Sequence, residues 1–146
     1  MQRQFALVAI LSVPAAVLHA DPAKKDLDKL QGTWVMAALD INGKTTPTDQ
    51  FEGTTLTIKG DKYIVKVKDK TFEMHMQIDP GKTPKTIDMS YKDGPKQGQV
   101  HKGIYELEGD TFKICRGLNP EQERPIDFTT QPGSDLFVVT WKRENR

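Results

Sequence analysis

Apolar and polar residues alternate along most of the chain from residue 33 onward. The pattern is clearest at 72–78 and 87–91, where every second residue is apolar. Such alternation is typical of β-strands that have one face on a core and the other in water. Turn sequences such as Asn42-Gly43 and Gly109-Asp110 separate the runs. The sequence therefore predicts an all-β fold of eight or nine antiparallel strands, at residues 33–41, 54–59, 62–68, 71–78, 85–91, 99–107, 111–116, 126–129 and 136–143.

The first twenty residues have the layout of a secretory signal peptide. Arg3 supplies a positive charge, residues 5–18 are almost wholly apolar, and Ala20 is a small residue at the predicted cleavage point. The apolar run is shorter than the roughly 20 residues that span a bilayer core. We therefore expect an exported protein, periplasmic or extracellular, with residues 1–20 removed and no transmembrane segment left. Residues 21–146 are expected to form a single domain.

The charge balance argues against a nucleic-acid partner. The whole chain has 21 Lys and Arg residues against 20 Asp and Glu residues, and the predicted signal peptide removes Arg3. The remaining charges balance and are interspersed, whereas nucleic-acid binders usually carry a basic stripe. Cys115 is the single cysteine of the chain. An exported protein with one cysteine has no internal disulfide.

A short helix is predicted over residues 21–31, just before the first strand. Asp21 can cap it, Pro22 suits the first helical position, and Gly32 can end it. Because a helix of this length is stable only when it packs against other elements, we expect it to lie against the strands.

The motif Gly32-Thr33-Trp34 resembles the G-x-W signature that opens the first strand of lipocalins, which are calycin-type barrels. The resemblance implies a small antiparallel barrel whose floor is closed by Trp34. It also implies a basic residue of the last strand, Lys142 or Arg143, packed across the indole, where a cation–π contact is favourable. Arg124 is an alternative source of that charge.

Further motifs extend this resemblance across nearly all of residues 21–146. They are 30–34, 84–88, 103–105 with Gly109-Asp110, Cys115, and Arg124-Pro125 with Phe128. Together they resemble a family of small, uncharacterised, lipocalin-like domains that are abundant in planctomycetes and often exported. The resemblance implies a lipocalin-like barrel and export. It implies no activity.

No pattern of nucleophile and base predicts catalysis. Cys115 and His101 fall on strands that should form a hairpin, so a Cys–His pair is conceivable, but a free cysteine is by default a small packed residue. His75 shares a strand face with Glu73 and Asp79, which a solvated surface explains more simply than a zinc site. We therefore expect no catalytic residue, no metal and no cofactor, and an enzyme is the least favoured class.

The hypothesis of a ligand rests on flexible apolar side chains that are predicted to face the barrel interior. Methionine adapts to irregular gaps and promiscuous pockets. An eight-stranded barrel either fills with side chains or holds one small ligand, and both alternatives stay open. The interior candidates are Met36, Phe72, Met74, Met76 and Met89.

Two main hypotheses about function follow. The first is an exported, non-enzymatic binding domain for a small apolar molecule or an envelope component. The second is a structural or protein-interaction module of the cell envelope with no small-molecule ligand. An interior cavity would favour the first, and an exposed apolar patch or an uncovered strand edge would favour the second.

Overall fold

The computed structural model describes residues 21–144, so the predicted signal peptide, residues 1–20, lies outside the described residues. In this range an α-helix, α1 (Pro22–Leu30), precedes nine β-strands, and a short 3₁₀ helix occupies Thr48–Gln50. The strands are β1 (Gly32–Ile41), β2 (Lys44–Thr45), β3 (Thr55–Lys59), β4 (Lys62–Val67), β5 (Lys70–Asp79), β6 (Lys85–Ser90), β7 (Val100–Glu108), β8 (Thr111–Gly117) and β9 (Leu136–Arg143).

Eight of the nine strands close into an antiparallel barrel. β1 pairs with β3, the strands from β3 to β9 each pair with the next along the chain, and β9 pairs back onto β1. Closure removes the free edges that an open sheet of this size would expose. β2 adds two residues beside the end of β1. The prediction of an all-β, antiparallel, lipocalin-like barrel with a short N-terminal helix is confirmed.

Two local predictions were wrong. Residues 126–129 do not form a strand. β8 pairs directly with β9, so no strand can be inserted between these two. The carboxylate of Asp127 instead accepts hydrogen bonds from the backbone N–H and the hydroxyl of Thr129, which makes a local turn. The strand β2 was missed because two residues are too few to show alternation.

The helix α1 forms as its capping residues predict. The Asp21 carboxylate accepts a hydrogen bond from the backbone N–H of Ala23 at 3.0 Å, and Pro22 occupies the first helical position. Gly32, just past the helix, has a φ of 120°, a value that favours glycine. This turn places α1 beneath the end of the barrel where β1 begins.

Trp34 closes this end of the barrel, which we call the floor and define by Trp34, Arg143 and α1. The indole is fully buried, and its N–H donates a hydrogen bond to the backbone oxygen of Leu30 at 2.9 Å. The guanidinium carbon of Arg143 lies 4.2 Å from the indole centroid. That guanidinium also donates to the backbone oxygens of Lys29 and Gln31 at the end of α1, so it joins the helix to the last strand.

The other two candidates for a basic residue at the floor lie elsewhere. Lys142 is exposed, because it alternates with the inward-facing Trp141 and Arg143. Arg124 lies on the outer surface, where it donates to the backbone oxygen of Gly103 and to the carboxylate of Asp88, each at 2.8 Å. Of the three candidates, Arg143 is therefore the one that packs across Trp34.

A buried carboxylate on α1 fixes the helix to the barrel. Asp26 is 7% exposed and accepts hydrogen bonds from the Lys85 ammonium at 2.9 Å and from the Tyr105 hydroxyl at 2.7 Å. Burial by itself would raise the pKa of Asp26, but these hydrogen bonds and the charge of Lys85 lower it below its ordinary value. The contact therefore stabilises the fold as long as Asp26 is ionised.

We expect Asp26→Ala to lower the free energy of unfolding by about 2–4 kcal/mol at neutral pH, because Tyr105 and Lys85 lose their partner. The matched control is Asp28→Ala, an exposed position of the same helix, where the change should stay within about 0.5 kcal/mol. The pKa of Asp26 is lowered in the folded state, so its contribution is present above about pH 4 and is lost as the pH falls further. Urea unfolding of the wild type, Asp26→Ala and Asp28→Ala, from neutral pH to below about pH 4, checks both expectations. Equal losses of unfolding free energy in the two variants would contradict them.

Candidate functional site

Side chains fill the barrel from the floor to its middle. Each of the residues concerned is at most 5% exposed: Tyr63, Met74, Met76, Met89, Tyr105, Phe112, Ile114 and Trp141. Met36 is partly buried and packs against the same cluster. Four of the five candidate ligand-binding residues, Met36, Met74, Met76 and Met89, are therefore part of a packed core.

The fifth candidate, Phe72, lies elsewhere, and its predicted burial in the interior is corrected. It alternates in step with Met74 and Met76, but it sits near the start of β5, beyond the filled part of the barrel, and is 50% exposed. Val65 pairs with it across β4 and β5. We call this end of the barrel, opposite the floor, the rim, and define it by Val65, Phe72, Tyr91 and Phe137, which are all partly or largely exposed.

A positive charge faces into the barrel just below the rim. Arg116 follows Phe112 and Ile114 on the inward face of β8, and it pairs across to Phe137 of β9. Its guanidinium carbon lies 4.5 Å from the centroid of the Phe137 ring. Burial lowers the pKa of the Arg116 guanidinium, which nevertheless stays charged at neutral pH because an arginine loses its proton only under strongly basic conditions.

The guanidinium of Arg116 has weak partners only. One nitrogen donates to the backbone oxygen of Gly117 at 3.3 Å, and the other lies 4.0 Å from the sulfur of Met74. Among residues 21–144, none of the ion pairs within 4.0 Å includes Arg116. A partly buried arginine therefore faces the interior with no carboxylate to balance it.

The residue paired with Arg116 on the neighbouring strand is a glycine. Gly103 of β7 lies directly across from Arg116 in the register of β7 and β8. A Cβ atom at Gly103 would approach the Cβ atom of Arg116 to 2.8 Å, closer than real Cβ atoms come. The glycine thus allows β7 and β8 to approach closely at this pair.

Aromatic and polar groups line the interior beside Arg116. The Trp141 indole N–H donates to the Tyr63 hydroxyl at 2.8 Å, and the two rings pack edge to face with centroids 6.3 Å apart. Burial raises the pKa of Tyr63, so its hydroxyl is neutral. These groups carry no negative charge that could serve as a counter-ion for the guanidinium.

His101 faces the interior next to Arg116. It pairs with the inward-facing Met89, is 4% exposed, and packs edge to face on Tyr91 at 6.0 Å. Its Nδ1 lies 3.2 Å from the backbone oxygen of Gly117. Its Nε2 is buried and has no hydrogen-bond partner among the described residues. The interior below the rim therefore holds a charged and a neutral polar group, each with unused hydrogen-bonding capacity.

Cys115 and His101 lie on opposite faces of the barrel wall. Cys115 pairs with Ile104 and packs outside the barrel in a small cluster with Ile104 and Val138, whereas His101 faces in. Burial, together with the charge of Asp127, raises the pKa of the Cys115 thiol to about 11, so the reactive thiolate is scarce at neutral pH. The conceivable Cys–His pair does not form.

The remaining sequence candidate for chemistry is His75 on β5. Its Nδ1 lies 3.6 Å from the carboxylate of Asp61, on the outer side of the barrel. Residues 21–144 contain no group of three or more His, Cys, Asp or Glu side chains placed to hold a metal ion.

Arg116 is the residue that the sequence analysis did not single out. Its signal was nevertheless present, because extending the alternation of Phe112 and Ile114 by one step puts position 116 on the inward face. The basic residues considered there as packing against the barrel are only Lys142, Arg143 and Arg124, so Arg116 is left out.

Comparisons with known proteins leave the family open. Neither the family models, nor the curated proteins, nor the solved structures that were searched include a match to this chain. Within the described part of the chain, every helix is too short or too polar to cross a membrane. The resemblance to exported lipocalin-like domains of planctomycetes stays a prediction.

Proposed function

We propose that this chain is an exported, non-enzymatic binding protein for a small molecule with an acidic head group and an apolar portion. The ligand enters at the rim, its anion meets Arg116, and its apolar portion lies against the rim residues. Export rests on the signal-peptide pattern of residues 1–20.

The observation that carries the proposal is the unbalanced charge of Arg116. Burying a charged group without a partner costs roughly several kcal/mol of free energy. Folded proteins therefore normally pair or hydrate such groups. The anion of a ligand would supply the missing partner through charge-assisted hydrogen bonds, for which a guanidinium has a suitable fork of donors.

The apolar part of the proposed ligand follows from the residues around Arg116. Phe72 is half-exposed at the rim, and Phe137, also at the rim, packs against the guanidinium. Below Arg116 the interior is filled by residues such as Met74 and Met89. A ligand anchored at Arg116 must therefore extend its apolar portion toward the rim, where it would cover Phe72.

A second candidate function, a protein-interaction module, is favoured by one feature of the outer surface. Ile126 is 84% exposed and lines an external cleft of about 420 Å³ with Pro84 and Pro125. The cleft also includes Lys82 and Thr83, beside the floor end of β6, where Lys85 bonds to Asp26 of α1, so it lies away from the rim. Ile126→Ser should therefore weaken a protein partner and leave binding at Arg116 unchanged, which separates the two functions.

Titration calorimetry with decanoate and decanol tests the proposed function. We expect decanoate to bind about tenfold to a hundredfold more tightly than decanol, since a hydrogen bond to a charged group contributes about 1.5–3 kcal/mol. Arg116→Met should remove this preference. Lys102→Met is the matched control, because it deletes one exposed positive charge from the outer face of β7, and it should bind like the wild type.

Two results would contradict the proposed function. One is that neither molecule binds to the wild-type protein. The other is that Arg116→Met keeps the preference for decanoate, which would place the anion at some other cation.

A further inference from the structure

Two side chains converge on one backbone oxygen below the rim. Nδ1 of His101 and a guanidinium nitrogen of Arg116 lie 3.2 Å and 3.3 Å from the backbone oxygen of Gly117. An anion that reaches the guanidinium therefore also comes close to the imidazole. His101 is in a position to be a second contact for the head group of the ligand.

The Gly117 carbonyl fixes the tautomer of His101. A carbonyl oxygen can only accept a hydrogen bond, so Nδ1 must carry a proton to bond with it. In the neutral ring, Nε2 is then a bare acceptor, and it is buried without a hydrogen-bond partner in the described chain. An anion is also an acceptor, so the neutral ring cannot bond to it through Nε2.

Among residues 21–144, the charged groups that face His101 are all positive. They are Arg116 from β8 and Lys96 from the 91–99 connection, and the neutral Tyr91 ring packs against the imidazole edge to face. Met89 of β6 is the cross-strand neighbour. Burial, the charge of Arg116 and the charge of Lys96 lower the pKa of His101, and the bond to Gly117 opposes them only partly. The imidazole is therefore neutral in the free protein at neutral pH.

Building on the proposed function, we propose that binding of an acidic ligand at Arg116 is coupled to the uptake of one proton by His101. The proton comes from solvent and adds to Nε2, which then donates a second hydrogen bond to the anion. Without the anion, an imidazolium beside Arg116 would be repelled by it. With the anion in place, that repulsion is offset by attraction, so ligand and proton favour each other's binding.

The coupling fixes the direction of the pH dependence. His101 holds a proton more tightly in the complex than in the free protein, so affinity for the ligand is highest at low pH and falls as the pH rises. Between the free and the bound pKa, the dissociation constant should increase by about tenfold per pH unit. His101 would thereby make the protein load its ligand in acidic surroundings and release it in neutral ones.

Calorimetric titration with decanesulfonate from about pH 5 to 8, where histidine charge ordinarily changes, tests this coupling. The sulfonate stays ionised throughout that range, so the ligand itself adds no titration. We expect the wild-type affinity to fall as the pH rises and the affinity of His101→Gln to stay nearly flat. His75→Gln removes the histidine on the outer side of the barrel and should follow the wild type.

The wild-type protein alone provides a second measurement. The apparent binding enthalpy should differ between two buffers that have different ionisation enthalpies. The size of the difference should correspond to the uptake of up to one proton per ligand bound. This measurement keeps the inference testable even if His101→Gln does not fold.

The outcomes separate the inference from the proposed function. A pH slope that is the same in the wild type and His101→Gln, or a binding enthalpy that does not depend on the buffer at any pH tested, overturns the coupling and leaves the proposed function standing. Failure of the wild type to bind decanesulfonate or decanoate at any pH overturns both.

Discussion

Trp34→Ala should lower the free energy of unfolding by about 3–5 kcal/mol, the range for removing a buried aromatic side chain. The indole is fully buried, packs on Phe112 with ring centroids 5.7 Å apart, and bonds to the Leu30 backbone oxygen. Its removal also takes away the surface on which Arg143 lies. The floor would lose its packing and its link to α1 in one change.

Chemical unfolding of Trp34→Ala, Trp34→Phe and Ile126→Ala measures this effect. Trp34→Phe keeps a ring but loses the indole N–H, so we expect an intermediate loss. Ile126 is a large apolar residue that is 84% exposed, and its truncation should change stability by no more than about 0.5 kcal/mol. An unfolding midpoint of Trp34→Ala equal to that of the wild type would refute the role of Trp34 at the floor.

Arg116→Met should raise the stability of the free protein by about 1–4 kcal/mol, the range for replacing buried ion pairs by apolar residues of similar volume, because Arg116 is partly buried without a carboxylate. Among the described residues, the guanidinium has a 3.3 Å bond to Gly117, a 4.0 Å approach to Met74 and a cation–π contact with Phe137, and none of these is an ion pair. A methionine would lie among Met74 and Phe137 with no charge to desolvate. The same variant should lose its preference for acidic ligands, which is the trade-off expected of a residue kept for function.

Arg143→Met is the matched control for this prediction. Both arginines face inward near an end of the barrel, but Arg143 lies over Trp34 and bonds to the backbone oxygens of Lys29 and Gln31. Its replacement should therefore destabilise the protein. If Arg116→Met destabilised the fold as much as Arg143→Met, Arg116 would be a structural residue, and the argument for a ligand anion would fail.

The fold could be predicted from sequence because its signals are local. Two-residue alternation, turn sequences and the capping residues Asp21 and Pro22 each act over a few positions, and together they specify the barrel and α1. The limits of the alternation explain the errors. Alternation shows which face of the sheet a side chain is on, but not how far along the barrel axis it lies. It therefore groups Phe72 with Met74 and Met76, although Phe72 lies beyond the filled interior.

The site could be predicted only in part, because its chemistry depends on whether a charged side chain has a hydrogen-bond or ion-pair partner. Alternation extended to the strand ends would have placed Arg116 and Arg143 inward and Lys142 outward. It would not have shown that Arg143 has strong partners and Arg116 only weak ones, since Arg143 bonds to backbone oxygens at the end of α1, more than a hundred residues away in sequence. The tautomer of His101 likewise depends on the Gly117 carbonyl of a neighbouring strand.

A crystal structure of the protein grown with decanesulfonate would show directly where an acidic amphiphile binds. The account predicts sulfonate oxygens within hydrogen-bond distance of the Arg116 guanidinium and of His101 Nε2, with the alkyl chain running past Phe137 to cover Phe72. A sulfonate bound only to outer lysines, with the Arg116 guanidinium still bonded to Gly117 alone, would contradict it.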